Sequence, residues 1–138
     1  MIKGADIQDK PFSRSSRSAA VGDLDGDGDL DLMVNNFNHE PYLYRNDGAP
    51  GHSLRLQLKN KKHAAAYGAR VKVTAGGRTF SRQLANAQGY LTQSSPILHV
   101  GLGGATAVEK VEIWWPGQKA PQVVEKPPLD RVVTVDQQ

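Results

Sequence analysis

Gly22-Asp23-Leu24-Asp25-Gly26-Asp27-Gly28-Asp29-Leu30-Asp31-Leu32 is the stretch on which the reading of this chain turns. Five aspartates occupy every second position from 23 to 31. At ~4 Å separation and an effective dielectric of about 20, each carboxylate pair repels by about 4 kcal/mol. A cation among them removes that cost. The donors are hard oxygens, with neither thiolate nor imidazole in the loop. This set points to Ca²⁺, which takes about six to eight oxygens. Counted from Asp23, the spacing places Asp23, Asp25 and Asp27 at positions one, three and five. The backbone carbonyl of Asp29 falls at seven, and Asp31 closes the cage at nine. Gly26 and Gly28 permit the positive-φ turns that wrap a chain round an ion. An EF-hand opens in the same way, but it needs a bidentate Glu at position twelve, where this chain has Val34. It also needs helical flanks, and these flanks read as strands. The stretch is therefore expected to be a calcium loop in a β-hairpin.

Outward from the loop the pattern stays short and extended. Residues 18–23 and 30–37 read as the two hairpin strands, with Leu30, Leu32 and Val34 on a face that must be covered. Tyr42 to Arg45 reads as a third strand, ended by Asn46-Asp47-Gly48, a strong turn signal. Before the hairpin, residues 1–17 are polar and read as a lead-in. Pro50-Gly51 marks a boundary, after which period-two alternation is clean. Leu54, Leu56 and Leu58 share one face, and Val71 and Val73 repeat the pattern. Gly76-Gly77 has the length of a two-residue hairpin turn, with a return strand over 79–84. Shorter strands are expected over 90–92, 97–100, 111–115, 123–124 and 131–135. Pro127-Pro128 interrupts the last two, and Gly101-Leu102-Gly103-Gly104 reads as a tight turn. The resulting expectation is all-β: an antiparallel β-sandwich or barrel-like domain over 51–138, preceded by a calcium-loop hairpin over 18–50.

Composition narrows the function classes. The chain has 138 residues, 38% of them hydrophobic, which suits one compact domain or two small ones. It has no apolar run long enough for a membrane helix, and no apolar h-region follows Met1-Ile2-Lys3. Cysteine is absent, so no disulfide framework exists. The net charge is +3, although five aspartates sit in one loop, so the remainder is distinctly basic. Its cations are scattered, and Lys59-Asn60-Lys61-Lys62-His63 is the one cluster, read as a solvated loop. A nucleic-acid surface needs a denser basic stripe interleaved with aromatics.

Two segments resemble known families. Residues 18–48, from Ser18-Ala19-Ala20-Val21-Gly22-Asp23 to Tyr44-Arg45-Asn46-Asp47-Gly48, are similar to one FG-GAP/VCBS repeat, the calcium-loop blade of integrin-type propellers. Residues 53–118 resemble the ASPIC/UnbV domain, through Gly68-Ala69-Arg70-Val71, Gly89-Tyr90-Leu91-Thr92-Gln93-Ser94, Val100-Gly101-Leu102-Gly103 and Trp115-Pro116-Gly117. The order resembles the C-terminal part of cartilage-acidic-protein-like secreted proteins. The resemblance implies calcium at Asp23, Asp25, Asp27, Asp29 and Asp31, an extracellular, periplasmic or cell-envelope location, and no catalytic residues. The family carries several repeats and this chain has one. Repeat units need neighbours, so the blade is expected to pack on the following domain, form a homo-oligomer, or dock on further blades of a parent protein.

Other constellations are weaker. His39, His52, His63 and His99 lack zinc spacing, and no nucleophile elbow occurs. In Trp114-Trp115 adjacent strand residues point to opposite faces, so one is core and the other is free to offer, with Tyr90, a platform for sugars. The leading expectation is a non-enzymatic, calcium-stabilised β module of an adhesion or scaffolding protein, with an unidentified protein or glycan ligand. The alternative is a carbohydrate-binding module built on Trp114/Trp115.

Overall fold

The computed structural model describes residues 2–4, 15–48, 50–87 and 89–138. Among them there is no helix. Two compact units form, one from Met1–Ala49 with Ala87–Ser95, the other from Pro50–Asn86 with Pro96–Gln138. The first unit thus takes in a segment lying far along the chain, within the stretch that the sequence reading assigned to a 51–138 domain.

The first unit is a four-stranded antiparallel sheet in the order β1-β4-β3-β2. Its strands are β1 (Ile2–Gly4), β2 (Ser16–Gly22), β3 (Asp31–Asn36) and β4 (Tyr42–Asn46). The polar lead-in over 1–17 is corrected at both ends: Ile2–Gly4 pairs with β4 and Ser16 already belongs to β2. The part of that lead-in over 5–14 lies outside the described residues. Directly opposed residues share a face. Leu32 stands opposite Val21 and Tyr44, and Val34 opposite Ala19 and Tyr42. Leu30, Leu32 and Val34 are half-buried, while Met33 and Leu43 on the other face are exposed. The outer edge of β2 is covered from within the unit. Thr92 Oγ1 donates to the Ala19 carbonyl at 2.9 Å, the Ser95 amide to the Val21 carbonyl at 3.0 Å, and the Val21 amide to Ser94 Oγ at 3.3 Å. An open strand edge is a template for unwanted pairing, and these bonds occupy it. The strand expected over 90–92 is therefore corrected. Tyr90 and Leu91 form a turn, Leu91 at φ +48°, and side chains rather than a ladder make most of the contact.

The second unit is a sandwich. One sheet runs β10-β9-β6-β7 and the other β11-β5-β8. The strands are β5 (His52–Lys59), β6 (Arg70–Ala75), β7 (Arg78–Gln83), β8 (Ile97–Gly103), β9 (Val108–Trp114), β10 (Gln122–Glu125) and β11 (Val132–Asp136). Alternation supplies the core: Leu54, Leu56 and Leu58 from β5 meet Val71, Val73, Val111 and Ile113 of the facing sheet in one cluster. Every buried apolar side chain among the described residues belongs to this unit. β9 keeps both Val108 and Val111 inward by a bulge, the register slipping between Thr74 and Ala75, because the extra residue resets which face the strand presents. Gly76 and Gly77, at φ +54° and +71°, make the β6–β7 turn, as a two-residue primed turn requires.

Two details differ from the sequence reading. β11 pairs with β5 in parallel, so the sandwich is mixed rather than purely antiparallel. β8 runs through Gly101 to Gly103, where a tight turn was expected, because Gly101 pairs with Ser53 and Gly103 with His52 across a bulge. Asp130 fixes the start of β11. Its Oδ1 accepts the Ser53 amide at 2.9 Å, its Oδ2 lies 2.7 Å from His52 Nδ1, and its carbonyl accepts Arg55 at 2.6 Å.

Candidate metal centre

The acidic loop connects β2 to β3 and folds on its own carboxylates. The Gly28 amide donates to Asp23 Oδ2 at 3.1 Å, the Asp27 amide to Asp25 Oδ1 at 3.2 Å, and the Asp29 amide to Asp27 Oδ1 at 2.9 Å. Aspartate at alternate positions favours such turns, since its side chain reaches the amide two residues on. Gly26 and Gly28 take φ +81° and +102°, which reverse the chain without a Cβ penalty. As a result, one carboxylate oxygen each from Asp23, Asp25 and Asp27 lies within 4.8 Å of the others. Asp23 is half-buried, with Oδ1 sealed from solvent, while Asp25 and Asp27 are exposed.

Asp31 stands apart from that cluster. It is 1% exposed, and its oxygens accept the Leu24 amide at 2.8 Å and the Asn46 amide at 2.9 Å. The amide of Asn46, then that of Leu24, hold its carboxyl below the usual carboxylate range. Asp31 thereby ties both ends of the loop to the end of β4. The Asp29 carboxylate is turned toward Gly48: a methyl carbon at Gly48 would stand 2.0 Å from its Oδ2. Of the five aspartates, three converge, one anchors the backbone, and one faces the turn after β4.

Arg45 is the member that the spacing argument missed. Its Nε lies 3.8 Å from Asp25 Oδ2, and its guanidinium also grips Asp47. The Asp47 contact raises the Arg45 pKa above its usual value. The sequence signal was Arg45-Asn46-Asp47-Gly48, legible as a turn but silent about which carboxylates the arginine would reach. His52 and His63 stand beside Asp130 and Asp136 in the second unit. Among the described residues, Asp23, Asp25 and Asp27 form the one group of three metal-capable side chains.

The donor set fits a hard divalent cation. All three converging groups are oxygens, and Ca²⁺ tolerates the irregular geometry of a loop better than Mg²⁺ does. The Asp31 carboxylate has about four lone-pair sites, more than its backbone partners Asn46, Leu24 and Asp25 take up, so backbone anchoring does not exclude it from a metal shell.

A four-stranded antiparallel sheet with an acidic hairpin loop and a mixed β-sandwich define an all-β protein of two units. The model of the FG-GAP repeat matches residues 16–44, and that of ASPIC and UnbV matches residues 59–138. The chain belongs to the ASPIC and UnbV family. It is 35% identical over 104 residues to Cartilage acidic protein 1 of Mus musculus and of Homo sapiens. It is 33% identical over 105 residues to that of Xenopus tropicalis. These matches cover 72% of the chain and 16% of each relative, so the chain spans about a sixth of their length.

Proposed function

We propose that this chain is a calcium-binding, non-enzymatic β module of an extracellular adhesion or scaffolding protein, in which calcium has a structural role. The observation that carries the reading is the convergence of Asp23, Asp25 and Asp27 within 4.8 Å. Their carboxylates would be direct ligands, the Asp29 carbonyl would add another oxygen, and Asp31 would serve ion and backbone together. Calcium supplies the positive charge that lets these groups stay ionised at close range. Arg45 already neutralises part of the cluster through Asp25.

The structural role follows from where the loop sits. The first unit has no buried apolar side chain among its described residues, so its stability rests on ladders, edge contacts and the loop. An ion joining Asp23 to Asp27 would fix the β2–β3 connection and steady the sheet. An extracellular setting, where calcium is millimolar, would keep such a site filled. A partner protein or glycan, further blades or a second copy would then use the ordered surface.

The test is calorimetric titration of Ca²⁺ into wild type, Asp27→Ala and Asp29→Asn, paired with thermal melting. Binding only to the folded state stabilises by about 2.7 kcal/mol at a hundredfold excess over Kd. Wild type is expected to melt higher in calcium and lower in EGTA, with Mg²⁺ a poor substitute. Asp27→Ala is expected to lose the effect, and Asp29→Asn to keep most of it. Identical melting of wild type with and without saturating calcium would make the loop only an acidic turn.

A further inference from the structure

The outer face of the β10-β9-β6-β7 sheet carries a feature independent of the calcium loop. Val71, Val73, Val111 and Ile113 point into the sandwich, so their neighbours in sequence point out. Arg70 lies between Gln83 and Trp114 across the strands, and Lys72 lies between Ser81 and Glu112. Arg70, Lys72, Ser81, Gln83 and Trp114, together with Arg82 from the edge strand, line a surface cavity of ≈ 600 Å³. Of the adjacent tryptophans, Trp115 is buried and its Nε1 donates to Gln122 at 2.8 Å. Trp114 is half-buried and faces the cavity, with no hydrogen bond among the described residues.

The charges there are unbalanced. Arg70, Lys72 and Arg82 are exposed, and among the described residues none forms an ion pair. Glu112, which stands opposite Lys72 on the neighbouring strand, is paired with Lys110 at 3.3 Å. Arg82 leans back on the edge strand, its guanidinium donating to the Ser81 carbonyl at 2.9 Å.

We propose that this face binds an anionic polysaccharide, with a sugar ring stacked on Trp114 and its sulfate or carboxylate groups held by Arg70 and Lys72. An indole offers a flat apolar surface to the C–H face of a sugar and a free N–H to a hydroxyl. Arg70 and Lys72 are two residues apart on one strand, so their Cβ atoms stand about 7 Å apart and present successive anion partners along the chain. Arg70 supplies a planar fork suited to either anion, and Gln83 and Ser81 supply hydrogen bonds to hydroxyls. The occupant is set by this combination. A peptide would add to a strand edge through its main chain, whereas Trp114, Arg70 and Lys72 sit on the two inner strands. Single-stranded nucleic acid needs successive aromatics along a basic groove, and this cavity has one.

The experiment is calorimetric titration of the full chain with four probes: a heparin oligosaccharide, a hyaluronan oligosaccharide of equal length, a neutral cello-oligosaccharide and inorganic sulfate. The heparin fragment is expected to bind, more weakly as salt rises, while the neutral sugar binds poorly. Hyaluronan binding would extend recognition to carboxylates, and its failure would restrict it to sulfates; either supports the proposal. Trp114→Ala is expected to weaken binding about tenfold, Trp114→Phe to retain most of it, and Arg70→Ser with Lys72→Ser to abolish it. In Trp114→Ala the remaining emission comes from buried Trp115, which reports directly that the sandwich is folded. Lys61→Gln with Lys62→Gln and addition of EGTA are both expected to leave binding unchanged. The proposal is overturned if no anionic probe binds, if folded Trp114→Ala binds as wild type does, if the Lys61/Lys62 variant is the one that loses binding, or if inorganic sulfate competes mole for mole.

Discussion

Replacing Gly48 by alanine tests how the turn after β4 is coupled to the acidic loop. Gly48 has φ +77°, a left-handed conformation that costs an L-residue about 1–2 kcal/mol. The added methyl carbon would also lie 2.0 Å from Asp29 Oδ2 and 3.0 Å from Asp29 Cγ, well inside the roughly 3.5 Å at which such atoms rest. The encroached atom ends a flexible side chain, so Asp29 turns away and the backbone stays. An off-rotamer χ there costs about 0.5–1.5 kcal/mol. Together these give a loss of about 1.5–3.5 kcal/mol for Gly48→Ala, large for a unit without a buried apolar core. Asp29→Ala removes the obstruction, so the double variant should keep only the backbone part. The assay is amide hydrogen exchange over residues 16–46 in calcium-free buffer, for wild type, both single variants and the double. Tryptophan emission reads the other unit, which holds both Trp114 and Trp115. A coupling of about 1 kcal/mol between positions 48 and 29 is expected. Strictly additive losses, or wild-type exchange in Gly48→Ala, would refute the reasoning.

Two further predictions concern the sandwich. Leu56→Ala deletes a side chain that is 0% exposed, and the unfolding midpoint followed by tryptophan emission should fall by the equivalent of about 2–5 kcal/mol. The carboxyl of Asp130 is held below its ordinary value, first by the Ser53 amide and then by His52. A depressed folded pKa adds stability above the unfolded value of about 3.9 and loses it as pH falls through the folded one. The sandwich should therefore weaken on acidification below about pH 4, and an acid titration of Asp130→Asn should show a flatter decline over that window.

Much of this was legible in the residues. Period-two alternation at Leu54, Leu56 and Leu58 is also the burial pattern of β5, because a pleated strand leaves no other way to bury every second side chain. Gly76-Gly77 marked its turn because only glycine-like residues fill both left-handed positions cheaply. What failed had no local signature. Ile2–Gly4 joins β4 through register with residues forty or more positions away. Tyr90 to Thr92 reads as a strand by composition, yet the chain turns there and Thr92, Ser94 and Ser95 serve as an edge cover through two hydroxyls and one amide.

The acidic loop divides the same way. By itself the sequence determined that five aspartates share one loop with glycines to turn it, because alternation and φ freedom are local properties. The tertiary structure decided their roles. Asp31 anchors the backbone because Asn46, on another strand, brings its amide to it; Asp29 turns toward Gly48; and Arg45 reaches Asp25. It also decided between the tryptophans. Alternation says only that Trp114 and Trp115 oppose one another, while which of them is buried depends on the side of the sheet where the second layer packs.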